Sequence, residues 1–297
     1  VRIASMILTV FLAFFVFGGE SIADDIVDHW AGSHISKWKE AGIIKGYDDG
    51  SFKPNNDITR AEYITLVNKL FGFSETAQIA YKDIRIKDWY HEEVALAEAA
   101  GYIHGYQDKT IRPNNNLSRQ EAAEIICDVF KIERKESYSD IMFEDAAPFP
   151  NWSRDSIQAV VEKGYMRGYP DNYFRPTDNI TRVEAVVSLS NAAGKLINQA
   201  GIYGDSTITQ TIHGNIMVNT SGVKLINMVV KGDLYLTEGI GNGEVELDNI
   251  TVEGKTFING GGPESIIINN SRLGHVDLRK NNGNIRLVAV GNSIVTQ

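Results

Sequence analysis

Residues 43–62 read IIKGYDDGSFKPNNDITRAE, and the first half of the chain is organised around this stretch. The pattern returns at residues 102–121 as YIHGYQDKTIRPNNNLSRQE and at residues 165–184 as YMRGYPDNYFRPTDNITRVE. Each copy has a Gly-Tyr pair, a polar turn, a basic residue before proline, and then Thr or Ser, Arg, any residue and Glu. The arginines are spaced by 59 and 63 residues, which indicates three copies of one supersecondary unit.

The end of each copy predicts the start of a helix. A hydroxyl residue is followed three positions later by glutamate, which is the pattern of a capping box. The pairs are Thr59 and Glu62, Ser118 and Glu121, and Thr181 and Glu184. The intervening arginine lies in the first turn, where the helix dipole disfavours a cation. Because arginine recurs at this position in all three copies, we expect it to have a role that offsets this cost. The free backbone amides of the first helical turn and the guanidinium together suit the binding of a carboxylate or phosphate.

A second helix is predicted upstream of each Gly-Tyr pair, at residues 29–41, 92–100 and 153–163, each ended by glycine. In the first of them Trp30, Ile35 and Trp38 are expected on one stripe. Each unit has too few apolar residues to fold alone, so the three units are expected to share a core.

These motifs resemble the S-layer homology module, the cell-wall-anchoring repeat of bacterial surface proteins. The upstream half agrees, with an aspartate and then a tryptophan opening each copy: Asp25 and Trp30, Asp83 and Trp89, Asp145 and Trp152. The resemblance covers about residues 24–195, with repeats at 24–74, 81–136 and 140–196. Lys109 and Asn172 depart from the pattern at the glycine after the turn aspartate, and Gln120 and Val183 depart at the position of Ala61.

The resemblance implies an all-α pseudo-threefold bundle and non-covalent binding of secondary cell-wall polysaccharide, typically a pyruvylated amino sugar, in grooves between repeats. The polysaccharide-binding candidates are Arg60, Arg119, Arg182, Trp30, Trp89, Trp152, Asp25, Asp83, Asp145, Gly46, Gly105 and Gly168. The glycines are interpreted as mainly structural, for a helix C-cap or a positive φ. The tryptophans fit either the core or a sugar-stacking wall. The aspartates fit three roles: orienting the arginine, capping the first helix, or lining the groove.

Composition restricts the function further. The chain has 297 residues and a formal net charge of −9, which argues against a nucleic-acid surface. The single cysteine, Cys127, allows no intramolecular disulfide, and the six histidines show no metal-ligand spacing. We therefore expect no metal site and no cofactor.

The first residues predict secretion. Residues 7–17, ILTVFLAFFVF, are an apolar run followed by Ser21-Ile22-Ala23, which is typical of a signal peptide cut after Ala23. A membrane anchor is the alternative interpretation, although residues 3–19 are barely long enough to span a bilayer. We expect no membrane span after cleavage and a location at the cell wall or in the S-layer.

Residues 201–297 have a different character, with short alternating apolar runs. Asn227, Asn249 and Asn270 recur at spacings of 22 and 21 residues. Period-2 alternation in a repeat of this length predicts a right-handed parallel β-helix-like segment of four rungs, with an asparagine ladder at a turn. A β-sandwich is the alternative. The overall fold class is thus α + β multidomain.

Three functions compete: a wall-anchoring binding module, a wall-anchored polysaccharide-degrading enzyme, and an S-layer lattice subunit. The segment resembles β-helices of secreted surface proteins, some related to polysaccharide lyases. A lyase needs a convergent acidic cluster and a base, whereas Glu244, Glu246 and Asp248 alternate as on a solvated strand. We therefore predict no catalytic residues and no enzyme. The sequence does not predict the oligomeric state.

Overall fold

The computed structural model describes residues 24–134, 143–263, 265–280 and 283–296. The predicted signal peptide, residues 1–23, lies outside the described residues. Within the described ranges, no helix is long and apolar enough to cross a membrane.

Six α-helices form three pairs in the first part of the described chain. The pairs are α1 (Gly32–Glu40) with α2 (Arg60–Phe71), α3 (His91–Ala100) with α4 (Arg119–Val129), and α5 (Asn151–Glu162) with α6 (Arg182–Ala193). The glycines predicted to end the first helices, Gly42, Gly101 and Gly164, have φ of 71°, 70° and 71°. These left-handed residues stop the helices, as predicted.

The first helix begins later than the sequence predicts. It starts at Gly32, so Trp30 lies before it and is 69% exposed. Ile35 and Trp38 are buried on the inner face of α1. The prediction of a shared stripe is therefore correct for these two residues and wrong for Trp30.

The three capping boxes are present. The side chains of Thr59, Ser118 and Thr181 each accept a hydrogen bond from the N3 amide, and the N3 glutamate side chain accepts one from the N-cap amide. The arginine of each copy is the first residue of its helix. The sequence therefore placed these three helix starts correctly.

A triangle of backbone hydrogen bonds joins the three repeats. The amide of Ile58 donates to the carbonyl of Ile180, Ile180 donates to Leu117, and Leu117 donates to Ile58, at 3.1, 2.9 and 2.9 Å. All three side chains are buried. Because each residue precedes a capping box at the same place in its copy, the repeats are related by a pseudo-threefold axis, as expected.

The remaining described chain is a parallel β-solenoid of about five turns. Its strands are β1 (Lys195–Ile197), β2 (Gly201–Gly204), β3 (Gln210–Ile212), β4 (Ile216–Val218), β5 (Val223–Val230), β6 (Leu234–Leu236), β7 (Val245–Val252), β8 (Thr256–Ile258), β9 (Ile266–Asn269), β10 (Arg272–Leu273), β11 (Val276–Leu278), β12 (Leu287–Val290) and β13 (Ile294–Val295). One sheet stacks β1, β4, β6, β8 and β11, and the other is built around β5, β7 and β9. Every ladder between these strands is parallel, so a hairpin-based β-sandwich is excluded. The solenoid begins at Lys195, ahead of residue 201, and has about one turn more than the four rungs predicted.

Two of the three predicted asparagines form a side-chain ladder, and the third, Asn270, bonds to a different partner. Asn227, Asn249 and Asn270 all have positive φ, between 46° and 56°. The Asn249 amide donates to the Asn227 side-chain oxygen at 2.7 Å, and Asn227 donates to the carbonyl of Asp205 at 2.7 Å. The Asn270 side chain instead accepts from the amide of Asn292. Asparagine suits this turn because it tolerates the left-handed conformation and bonds along the stack.

Candidate functional site

Two grooves on the helical part combine residues of all three repeats. The first groove holds Gly46, Tyr47 and Glu62 of repeat one, Arg182 of repeat three and Trp89 of repeat two, around a cavity of about 200 Å³. The second groove surrounds a cavity of about 430 Å³ and has the equivalent residues from different repeats. Gly168, Tyr169 and Glu184 come from repeat three, Arg119 from repeat two and Trp30 from repeat one. The threefold arrangement therefore brings together candidates that lie far apart in the sequence.

The third set of equivalent residues makes the same internal contacts. The Tyr106 hydroxyl donates to Glu121, and Arg60 Nη1 lies 3.0 Å from Glu121 Oε1. The hydroxyl of Ser153 donates to the side chain of Gln120 at 3.1 Å. This bond holds the start of α5, which carries Trp152, against the start of α4.

Two of the repeated arginines, Arg60 and Arg119, are buried, and each is bonded to the following repeat. Arg119 is 3% exposed and donates to the carbonyl of Phe174 at 2.9 Å, to Glu184 Oε1 at 3.3 Å and to the carbonyl of Arg167 at 2.7 Å. Arg60 is 5% exposed and makes the equivalent pair with Glu121. The packing between repeats therefore uses these donor atoms.

Arg182 closes the ring. Its Nη1 lies 3.0 Å from Glu62 Oε1, and its Nε donates to the carbonyl of Phe52 at 3.0 Å. Its guanidinium also lies over the ring of Tyr47, 4.7 Å from the centroid. Each repeated arginine therefore forms an ion pair with the glutamate of another repeat, and this pair offsets the unfavourable interaction with the helix dipole.

Each capping-box glutamate accepts bonds from three directions. Glu121 receives the Ser118 amide, the Tyr106 hydroxyl and Arg60. Burial alone would raise the pKa of Glu121, but these three partners outweigh it, so its pKa lies below the ordinary value. Burial and the bond to Glu121 raise the pKa of Tyr106 to about 12. The pair is therefore ionised glutamate and neutral tyrosine at neutral pH.

The three tryptophans lie on the surface. Trp30, Trp89 and Trp152 are 69%, 60% and 55% exposed. Of the two interpretations left open by the sequence, the core is excluded. An indole this exposed contributes little to the core and offers a flat apolar face to a ligand.

The Gly-Tyr glycines serve close packing. A Cβ atom on Gly105 would lie 2.3 Å from the ring of Tyr81, and one on Gly168 would lie 2.3 Å from the ring of Phe143. Neither φ is positive, and neither is that of Gly46, so the predicted positive φ is wrong. The left-handed position is instead the turn residue, which is Gly50 in repeat one and Lys109 and Asn172 in the others.

The aspartates hold the loop that leads to proline. The carboxylate of Asp83 accepts from the amides of Ile111 and Arg112 at 3.0 and 2.7 Å. Arg112 has φ of 55°, an uncommon conformation that these bonds stabilise. The carbonyl of Ile111 in turn accepts from Arg60 Nε. Asp83 therefore orients the arginine indirectly, through one peptide unit, and does not cap the first helix.

Asp25 and Asp145 repeat this geometry. Asp25 accepts from the amides of Phe52 and Lys53. Asp145 accepts from the amides of Phe174 and Arg175, whose φ is 57°. All three aspartates thus hold the same loop in their repeats, and their role in binding a ligand stays a prediction.

The residue that precedes each Gly-Tyr pair was not among the candidates predicted from the sequence. Lys45 lines the first groove and Arg167 lines the second, and both are exposed. The third copy has His104 at this position, also exposed. A recurring basic or histidine residue was the available signal. Among the described residues, no three His, Cys, Asp or Glu side chains cluster as metal ligands.

Comparisons with known proteins agree with this architecture. The family model of the S-layer homology domain matches residues 24–64, 80–123 and 143–186. An amylopullulanase of Thermoanaerobacterium thermosulfurigenes is 29% identical over 60% of this chain and 10% of its own length. A cellulosome-anchoring protein of Acetivibrio thermocellus is 31% identical over 52% of this chain and 36% of its own length. The S-layer protein sap of Bacillus anthracis is 24% identical over 79% of this chain and 28% of its own length.

This chain therefore spans about a tenth to about a third of the length of these relatives. The domain matches and the S-layer and cell-surface relatives support secretion and a location at the cell wall or cell surface. With three tandem matches, a threefold ring of helix pairs and inter-repeat grooves, residues 24–186 of this chain are three tandem S-layer homology domains.

Proposed function

We propose that this protein anchors to the cell surface by non-covalent binding of acidic secondary cell-wall polysaccharide in the grooves between its repeats. Cell-surface anchoring itself follows from the three domains and from the anchoring and S-layer relatives. The ligand is the proposed part: a glycan whose sugar carries a carboxylate, such as a pyruvate ketal.

One observation carries the proposal. The same set of side chains is assembled from three different repeats at two separate grooves, and each set ends in a solvent-exposed tryptophan. Packing does not require Trp30 or Trp89 to be aromatic, since more than half of each side chain is in water. A flat apolar face beside polar groups is what a sugar ring needs, because its axial C–H groups stack on the ring and its hydroxyls bond to the rim.

The cationic groups in the grooves favour an acidic glycan. In the first groove Arg182 is paired with Glu62, so Lys45 and Lys69 supply the positive charge. In the second groove Arg167 takes this place. A carboxylate could accept from these side chains and from the edge of the buried guanidinium. The repeated arginine then contributes to ligand binding by holding the groove wall in place and by its charge. Lys45 in the first groove and Arg167 in the second contribute by direct contact with the carboxylate.

Several grooves on one rigid ring allow tight attachment from weak sites. When one groove releases its sugar, the others keep the chain close to the polymer, and rebinding becomes intramolecular. The amylopullulanase match covers 181 residues of this chain and a tenth of the enzyme, so it gives no support for catalysis here. We propose a non-catalytic anchor.

The test uses tryptophans whose removal should leave the fold unchanged, because all three are exposed. The triple variant Trp30→Ala, Trp89→Ala, Trp152→Ala should lose co-sedimentation with purified cell walls while its melting temperature stays within a few degrees of wild type. The matched control is Ile86→Ala, which removes an apolar side chain that is 87% exposed and outside both grooves. Wild-type wall binding by the folded triple variant would refute binding at these grooves.

A further inference from the structure

The helices that begin at the grooves end on the solenoid. α2, α4 and α6 each leave carbonyl groups without an intrahelical partner in their last turn. A solenoid side chain donates to one such carbonyl at every helix: Asn219 to Leu70 at 3.2 Å, Tyr235 to Phe130 at 3.2 Å, and Asn215 to Ala192 at 2.7 Å. The solenoid therefore caps the second helix of all three repeats.

A row of apolar side chains on the solenoid's outer face is buried by the helices. Met217, Tyr235 and Phe257 occupy matching positions on β4, β6 and β8. They point out of the solenoid, since their neighbours along each strand fill its core. Nevertheless they are 0%, 3% and 6% exposed and belong to the core of the helical part. The two parts thus share one hydrophobic core.

Aromatic geometry fixes this contact. The ring of Tyr235 stacks on Phe257 at 5.0 Å between centroids and meets Phe130 edge-on at 5.4 Å. Phe130 in turn meets Phe71 edge-on at 5.1 Å. These offset and edge-to-face arrangements stabilise a defined orientation more than a non-directional apolar contact does.

Two glycines let the backbones of the two parts approach each other. A Cβ atom on Gly72, after α2, would lie 2.4 Å from the Cα atom of Gly239. A Cβ atom on Gly194, after α6, would lie 2.2 Å from the carbonyl oxygen of Asn215. Both glycines also have positive φ, 65° and 66°. The sequence is thus adapted to direct backbone contact at two of the three helix ends.

We propose that the helical ring and the solenoid form one cooperative folding unit, in which the solenoid is the base plate of the three groove helices. The grooves lie at the N-terminal ends of these helices and the base plate at their C-terminal ends, about 18 Å away for a 12-residue helix. The solenoid is then held rigidly on the side opposite to the grooves. It is a structural part of the anchor and is not carried on a flexible linker.

The native tryptophans provide the test in the full chain. All four, Trp30, Trp38, Trp89 and Trp152, lie in the helical ring, so their fluorescence reports the unfolding of the ring alone. The variant Leu247→Ala opens a cavity in the solenoid core, far from every tryptophan in sequence. It should lower the denaturant midpoint seen by tryptophan fluorescence together with that seen by circular dichroism. A solenoid transition that shifts while the tryptophan midpoint stays at the wild-type value would overturn the proposal.

A milder pair of variants tests the caps themselves. Tyr235→Phe keeps the aromatic stack and removes only the hydroxyl, which lies 3.2 Å from the carbonyl of Phe130 and 3.3 Å from Asp233 Oδ2. Because the bond to Phe130 is lost, amide hydrogen exchange in the last turn of α4 should become faster. The control Tyr203→Phe removes a similar hydroxyl-to-carbonyl bond, to Gln199 within the first solenoid turn. It should leave exchange in α4 unchanged. Equal exchange in α4 for Tyr235→Phe and wild type would also count against the base plate.

Discussion

Arg119→Ala should destabilise the protein before it affects ligand binding. The side chain connects repeat two to repeat three through Phe174, Glu184 and Arg167. Its removal leaves two backbone carbonyls without this donor and leaves the Glu184 carboxylate without its cation. The capping hydroxyl of Thr181 remains, but it cannot replace a contact between repeats.

The expected loss in the free energy of unfolding follows from the burial of the Arg119–Glu184 ion pair. Removing one member of a buried ion pair costs about 3–5 kcal/mol. The Arg119 side chain is 4% exposed and that of Glu184 is 22% exposed, so water partly compensates the carboxylate. We therefore expect the low end, about 3 kcal/mol. For a chain of this size 1 kcal/mol changes the melting temperature by about 2–4 °C, so the expected fall is about 6–12 °C.

The assay is thermal unfolding of the full chain followed by tryptophan fluorescence, with wall binding measured at a temperature where the variant is folded. The control is Arg85→Ala, which breaks an ion pair with Asp88 but removes a side chain that is 71% exposed. It should change the free energy of unfolding by less than about 1 kcal/mol. A melting temperature of Arg119→Ala within about 2 °C of wild type would refute the inter-repeat clamp.

Three further outcomes are expected. Glu121→Gln should be less stable than wild type at pH 7, and the difference should shrink as the pH falls through the lowered pKa of Glu121, because the stabilisation by an ionised carboxylate is lost there. A difference independent of pH in denaturant titrations would contradict this. Asp83→Ala should lower the free energy of unfolding by about 1–3 kcal/mol, since the amides of two loop residues lose their acceptor, and an unchanged denaturant midpoint would argue against the loop role. If the position before Gly-Tyr contacts an anionic sugar, His104→Lys should tighten wall binding at pH 8 by about tenfold, whereas an unchanged binding isotherm would remove that position from the site.

The starts of the three capped helices and the stacking of the solenoid were predictable from local hydrogen-bond chemistry. The capping boxes need only residues three positions apart, such as Thr59 and Glu62, so the sequence placed the helix starts correctly. The parallel solenoid and its ladder followed from asparagine at a constant spacing, because a stacked turn repeats the same chemistry in every coil. Such features depend on neighbours along the chain or on a fixed period.

Contacts between repeats were not predictable in the same way. The position of Arg60 at a helix start was clear, but its partner Glu121 lies 61 residues away and is set by the order of repeats around the axis. The docking of the solenoid depends on residues such as Met217 and Asn215, whose outward direction is defined only once the strand register is known. The exposed tryptophans were ambiguous because an aromatic residue near a helix start fits either a core or a binding wall.

Binding of the full chain to purified cell walls, before and after removal of pyruvate ketals by mild acid, measures whether the grooves recognise an acidic sugar. The same walls re-pyruvylated, or left at neutral pH, control for loss of the polymer itself. We predict saturable binding to untreated walls and a loss of affinity of at least about tenfold after ketal removal, as expected for one lost charge-assisted contact at each groove. Equal affinity for both wall preparations would contradict recognition of an acidic sugar by these grooves.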